Sequence, residues 1–339
     1  MFKKMKVSFA LLLVLSVLLI SCSPAQPAQP AAAAPAAEEP KTEGSLSLKG
    51  KTIGIAVVGT DHFWDRTAFN SAVKTVEALG GKAIGVDAER DDQKHVANHE
   101  NLIAQKPDAI ISILGSGELM EPVFKKVREA GIPLFTVDHT SQYSINNSTS
   151  DNYYLGSQIG IKLAQALDGK GKVAVFNGFG AVGICQIRYD MFKYVLAKEY
   201  PEIEILQPEL QDVVPNTIED ARQKTADLLQ KYPKGTIDAI HVACWDIPAI
   251  GIVKALEEAG RTEIKVTGID AGPDTLAIMA KPGTQLVGNV AQQPDVIAAT
   301  AVYNVAKYLA GQAVPKTSYV SVIPVDPSTA AEVIAQLGY

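Results

Sequence analysis

From Lys51 onward, short apolar runs alternate with stretches whose apolar residues recur every three or four positions. The runs predict strands over 52–58, 82–87, 109–114, 133–138, 173–176, 203–206, 237–243, 265–269, 286–290 and 319–325. The helix-period stretches predict helices over 64–79, 93–105, 118–130, 153–167, 186–199, 218–230, 249–259, 274–280 and 295–309. Gly80, Gly131 and Gly260 sit where three of these helices end. The strands are rich in Val and Ile without clean alternation, as parallel strands buried on both faces are. Repeated strand–helix alternation predicts an α/β fold of doubly wound parallel sheets. The stretch from Leu46 to Tyr339 is long enough for two such bodies.

The N-terminus departs from this pattern. Lys3, Lys4 and Lys6 precede an apolar run that begins at Val7 and reaches Ile20 with two Ser, Ser8 and Ser16, inside it. A basic start and a short apolar core predict a secretory signal over residues 1–21, outside the fold. The run is short for a lasting transmembrane helix. Residues 23–45 are mostly Pro, Ala, Gln, Glu and Ser, too polar to offset their ordering entropy. Residues 22–45 are therefore expected to form a disordered tether. The formal net charge is −6, with no basic cluster after the signal, which argues against nucleic acid as a partner. Export would permit a disulfide between Cys185 and Cys244, but no C-x-x-C occurs. Two buried thiols is the preferred reading.

Ligands of doubly wound sheets sit beyond the carboxyl ends of the strands. Those ends carry His62, Phe63 and Trp64; Asp138 and His139; Arg188 after a Gly-rich turn; Trp245 and Asp246; Asp270; and Gln292. There is no nucleophile–base pair, no phosphate cradle and no metal-ligand spacing, so no enzyme, cofactor or metal is expected. Aromatic faces with carboxylates, an arginine and amides suit a neutral, polyhydroxylated ligand. Gly178-Phe179-Gly180-Ala181-Val182-Gly183 spells G-x-G-x-x-G after a strand. It lies mid-chain, in a protein expected to leave the compartment that holds reduced pyridine nucleotides, so it is read as a decoy. From the residues alone, Phe63 and Trp64 also suit a core, Asp138 a turn, Arg188 a surface helix and Asp246 a helix cap.

Leu19-Ile20-Ser21-Cys22 resembles a bacterial lipobox, which implies cleavage before Cys22 and lipidation of its thiol as a membrane anchor. The body resembles the type I periplasmic sugar-binding proteins, the ribose/galactose/xylose-like group that feeds ABC importers. The resemblance covers nearly all of residues 51–325. It rests on Phe63-Trp64, Thr136-Val137-Asp138, Arg188, Asp246-Ile247-Pro248-Ala249-Ile250-Gly251, Gly268-Ile269-Asp270 and Val290-Ala291-Gln292-Gln293-Pro294-Asp295, in that order. It implies two lobes joined by a hinge: residues 46–150 plus 294–322, and residues 151–293 plus 323–339. It also implies an extracytoplasmic, monomeric protein that hands a sugar or sugar alcohol to an ABC permease and its ATPase. The implied ligand set is Phe63, Trp64, Asp138, Arg188, Trp245, Asp246, Asp270 and Gln292, with His62, His139 and Tyr189 as weaker candidates. An alternative reading is a sensor-coupled protein for a furanosyl signal or nucleoside. The chain departs from the ribose-like members at His139, where they often carry Arg, and at Trp245, where they carry Asn.

Overall fold

The computed structural model describes residues 46–178 and 182–339. The predicted signal, Cys22, the tether and the centre of the glycine turn lie outside the described residues. Two six-stranded sheets organise the remainder, with elements numbered in chain order. The first sheet contains β1 (Thr52–Val57), β2 (Lys82–Asp87), β3 (Ala109–Ile113), β4 (Leu134–Val137), β5 (Asn146–Ser150) and β11 (Thr317–Val320). They lie in the order β11-β5-β4-β3-β1-β2, every pair parallel. The second contains β6 (Lys170–Phe176), β7 (Glu202–Ile205), β8 (Ala239–Val242), β9 (Lys265–Thr267), β10 (Leu286–Ala291) and β12 (Ile323–Val325). Its order is β12-β10-β9-β8-β6-β7, with only β12 antiparallel to its neighbour.

Helices cover both faces of each sheet, which is why the strands need no polar side. In the first lobe, α1 (Phe63–Ala78) and α9 (Pro294–Leu309) pack on one face, while α2 (Asp92–Gln105) and α3 (Gly117–Glu129) pack on the other. In the second, α4 (Asn152–Ala166) and α5 (Gly183–Glu199) oppose α6 (Thr217–Lys231), α7 (Ile247–Glu258), α8 (Pro273–Met279) and α10 (Ala330–Leu337). The chain changes sheets after β5, after β10 and after β11. These crossings are tied together: Ser150 Oγ donates to Gln292 Oε1 at 2.6 Å, and Gln293 Nε2 donates to the Ser321 carbonyl at 2.8 Å. Among the described residues, no helix is long and apolar enough to cross a membrane.

Three elements differ from the sequence expectation. The strand β5 reads NNSTS and is fully buried, yet carries no apolar run. Its side chains are paid for by partners far along the chain, including Asn304 Nδ2 to Asn146 Oδ1 at 3.0 Å and Asn146 Nδ2 to Ser318 Oγ at 3.0 Å. The single strand expected over 319–325 is two strands, one in each sheet, separated by Ser321 and Val322. The C-terminal helix α10 is additional; it buries Ala330 and Val333 in the second core.

Candidate ligand-binding site

A cleft of about 910 Å³ opens between the carboxyl ends of the two sheets. Trp64, Asp138, Arg188, Trp245, Asp270 and Gln292 all line it. Arg188 is its centre, on α5 and only 2 % exposed. Its Nε donates to Asn152 Oδ1 at 2.7 Å and its Nη1 to the Cys244 carbonyl at 2.8 Å. Its Nη2 reaches Asp138 Oδ2 in the first lobe at 3.5 Å, while Nη1 lies 3.6 Å from Asp270 Oδ1 in the second. A rigid, delocalised guanidinium suits this work, since several acceptors can share its fixed fork. The two carboxylates are aimed from unusual backbone: Asp138 has φ 52° and Asp270 φ 81°. Asp tolerates this left-handed region better than most residues.

The network continues behind the acids. Thr149 Oγ1 donates to Asp138 Oδ1, and Asn152 Nδ2 donates to Thr149 Oγ1 at 2.9 Å. Gln292 Nε2 donates to Asp270 Oδ1. The polar strand β5 thus supplies Thr149 and Ser150 to opposite ends of one chain of hydrogen bonds and ion pairs. Burial pushes Asp270 up to about 7, reinforced by the negative charge of Asp246 and opposed by Arg188. Burial likewise raises Asp138 against the lowering effect of Arg188.

Phe63 and Asp246 stand behind the cleft wall. Phe63 packs edge-on against Tyr339, with ring centroids 5.9 Å apart. Asp246 begins α7 but does not cap it; its Oδ2 accepts from the Gly272 N–H and Thr275 Oγ1, each at 2.8 Å. Its Oδ1 lies 3.2 Å from His62 Nε2, across the lobes. Burial would lower the His62 pKa, but the bond to Asp246 and the charges of Asp246, Asp65 and Asp270 raise it. His62, Asp246 and Asp270 bring potential ligand atoms within 4.8 Å of one another, a juxtaposition that the sequence spacing did not show. Both Asp246 oxygens are already engaged by protein donors, so this donor set fits a hydrogen-bonded latch better than an open cation site.

Trp245 lines the cleft, donates from Nε1 to Asp212 Oδ2 and meets the His62 ring edge-on at 5.2 Å. Burial pushes Asp212 up to about 6, opposed by that indole bond. His139 turns into the first lobe against Phe124, 5.0 Å between centroids, and Tyr189 is buried with its hydroxyl on Glu209. Cys185 and Cys244 are not separate thiols: they form a disulfide in the cleft wall, with Cα atoms 4.8 Å apart. They are 59 positions apart in sequence, so only the fold brings them together. Sequence reasoning also missed Arg90, which lines the cleft and holds Asp61 at 2.7 Å as well as Asp65. The strand-end rule applied to β2 would have found it, three residues past Asp87. Asn152 and Asp212 gave no comparable signal.

The profile of the periplasmic binding protein domain matches residues 53–313. The chain is 26 % identical to the ribose import binding protein of Bacillus subtilis (strain 168), covering 82 % of this chain and 88 % of that one. It is 28 % identical to the xylitol-binding protein of Mycolicibacterium smegmatis, over 67 % and 63 % of the two chains. Among solved structures, it resembles an ABC transporter solute-binding protein from Agrobacterium vitis with bound allitol. That match has 46 % identity and a TM-score of 0.83, and covers 86 % of this chain and all of the other. An ABC sugar transporter subunit from Rhodobacter sphaeroides 2.4.1 is also 46 % identical, with a TM-score of 0.81, over 83 % of this chain and 100 % of that one.

Proposed function

The chain belongs to the periplasmic binding protein domain family, as a type I member of the ABC-importer group, and from that premise we propose that it captures a neutral sugar alcohol or sugar between closing lobes. The observation that carries this reading is the bridge from Asp138 in one lobe through Arg188 to Asp270 in the other. Vicinal hydroxyls both donate and accept, so they can enter this bridge without leaving a buried charge unpaired. A ligand touching both lobes favours their closed arrangement, the hinge behaviour for which binding proteins serve as a general example. Trp64 and Trp245 supply faces for its C–H surface.

A linear polyol is the favoured ligand class, because the 46 % identical Agrobacterium vitis protein holds allitol. Micromolar affinity requires about −8 kcal/mol. About half a dozen charge-assisted hydrogen bonds at roughly 1.5–3 kcal/mol each supply that after ordering costs. In this reading the protein is a monomer, tethered outside the cytoplasm through lipid on Cys22, and delivers its ligand to an ABC permease with its ATPase.

Calorimetry across hexitols, pentitols, pentoses, hexoses and nucleosides tests the ligand class. Saturable micromolar binding of a polyol or sugar is expected, and tight binding of a nucleoside alone would overturn it. Cys22→Ala should release the protein from the membrane without lowering its melting temperature. Continued anchoring would refute the lipid assignment.

A further inference from the structure

We propose that the Cys185–Cys244 disulfide is a positioning clamp for the ligand cleft, holding Arg188 in register with the segment that carries Trp245. The inference rests on the ligand-capture reading above. Cys185 lies in the first turn of α5, and Arg188 follows one turn later on the same face. Cys244 follows β8 and immediately precedes Trp245 and Asp246. The disulfide therefore joins the helix start behind Arg188 to the loop that carries the indole. A second link runs in parallel: the Cys244 carbonyl accepts from Arg188 Nη1 at 2.8 Å.

The start of α5 needs such a clamp. Its N-cap is Val182, which makes no side-chain cap, and no acid lies in the first turn. Free N–H groups at an uncapped helix start favour fraying. Most other helices here have something at this point: Asp91 and Asp151 cap α2 and α4, Pro opens α8 and α9, and Pro248 sits in the first turn of α7. What holds the first turn of α5 instead is a small apolar cluster of Ile184, Cys185 and Cys244, backed by Leu114 of the first lobe, Val182 and Trp245. The disulfide is its covalent centre, and both cysteines line the cleft. Loosening this turn would let the Arg188 guanidinium leave the Asp138–Asp270 bridge without unfolding the sheet behind it, because β6 and β8 stay paired along their full register.

The test uses the full chain in two forms: a Cys185→Ala/Cys244→Ala variant, and wild type reduced by a dithiol and alkylated. In the second form the reductant leaves as its own disulfide, and two protein thiols are released and blocked. Allitol is the binding probe, measured at a temperature where circular dichroism shows each form folded. A clamp predicts at least tenfold weaker allitol binding in both forms. It also predicts that Arg188→Lys, costly in the disulfide-bonded protein, costs much less in the Cys185→Ala/Cys244→Ala background. Equal affinities, or fully additive losses, would reduce the disulfide to a structural staple and overturn the proposal.

Amide hydrogen exchange provides a readout independent of ligand. Protection should fall over residues 183–189 and 244–247 and hold in β6 and β8. Unchanged protection at α5 would refute the clamp. If oxidised wild type binds no polyol or sugar at all, the ligand reading fails, and the exchange pattern still decides the clamp by itself.

Discussion

His62 Nε2 lies 3.2 Å from Asp246 Oδ1, joining the loop after β1 in one lobe to the start of α7 in the other. Because the partners belong to different lobes, the pair forms only when the lobes are together. His62 also faces Asp65, 4.0 Å from its Nδ1, and feels the charge of Asp270. Its pKa is raised, so its contribution to closure is fully present below the ordinary histidine value near 6.5 and is lost as pH rises through the raised value. Asp270, raised to about 7, acts in the same direction, since its buried carboxyl binds a proton that an open cleft would release. Ligand affinity should therefore weaken from pH 6 to pH 8.5. Calorimetry over this range should show a flatter profile for His62→Gln, which keeps a hydrogen-bond donor without a titrating ring. An identical profile would remove His62 from the closing equilibrium.

The charges around the cleft predict a sharp preference among ligands of similar shape. Arg90 is paired with Asp61 and Asp65, and Arg188 with Asp138 and Asp270. Asp87, Glu89 and Asp92 line the same cavity. A carboxylate entering this cleft would lose its water beside an excess of fixed negative charge, which costs several kcal/mol unless a cation is released to it. Allonate should therefore bind at least about a hundredfold more weakly than allitol, since about 1.4 kcal/mol is a factor of ten. Comparable affinities in a competition titration would show that one of the arginines changes partner on binding.

Much of this arrangement is legible in the sequence, for a definite reason. A strand end in a doubly wound sheet is a geometric address, and Asp138, Asp270 and Gln292 follow apolar runs that mark it. Trp64 and Phe63 are adjacent, yet only Trp64 lines the cleft, because helical rotation turns neighbouring side chains apart. Asp246 looks like a cap for the helix it begins; its carboxylate instead serves the N-terminal turn of α8, whose approach depends on tertiary packing. The polar strand β5 has no local signal at all. Asn147 and Thr149 find partners nearby in Thr136 and Asp138, but Asn146 and Ser150 are tolerable in the core because Gln292, Asn304 and Ser318 arrive from more than a hundred residues away.

Acid should destabilise the protein through histidines that the cleft does not use. Burial pushes His95 down to about 3, His99 to about 4 and His241 to about 3. The unfolded chain takes up these protons first as pH falls below about 6.5, so stability drops from there toward the folded values. By pH 5 each such histidine costs about 2 kcal/mol, at about 1.4 kcal/mol per pH unit. His241 is the most accessible to substitution, because its ring stacks on Phe192 at 3.9 Å and 13°. His241→Phe keeps that stack and removes the proton site. Urea unfolding at pH 7 and pH 5 should show a smaller acid loss in the variant; an equal loss would place the sensitivity elsewhere.

Gly272 gives the most direct control over how closely the lobes approach. It precedes α8 in the second lobe at φ −66°, a conformation open to any residue, so backbone strain does not require glycine there. Space does. A Cβ at this position would lie 2.4 Å from Phe63 Cε1 and 2.6 Å from Phe63 Cδ1, in the first lobe. It would also lie 2.6 Å from Asp246 Oδ2. Gly272→Ala therefore forces Phe63 and the carboxylate away, and the softest response is separation of the lobes. Separation lengthens the Arg188–Asp138 and His62–Asp246 contacts, both of which cross the cleft. Polyol affinity should fall at least tenfold, while overpacking lowers stability by only about 1–3 kcal/mol. Small-angle scattering should show a larger radius of gyration at saturating ligand than in wild type. Phe63→Leu added to Gly272→Ala should recover part of the affinity by returning volume to the junction. If Gly272→Ala binds ligand normally and scatters like wild type, the junction yields locally and Phe63 does not set the separation of the lobes.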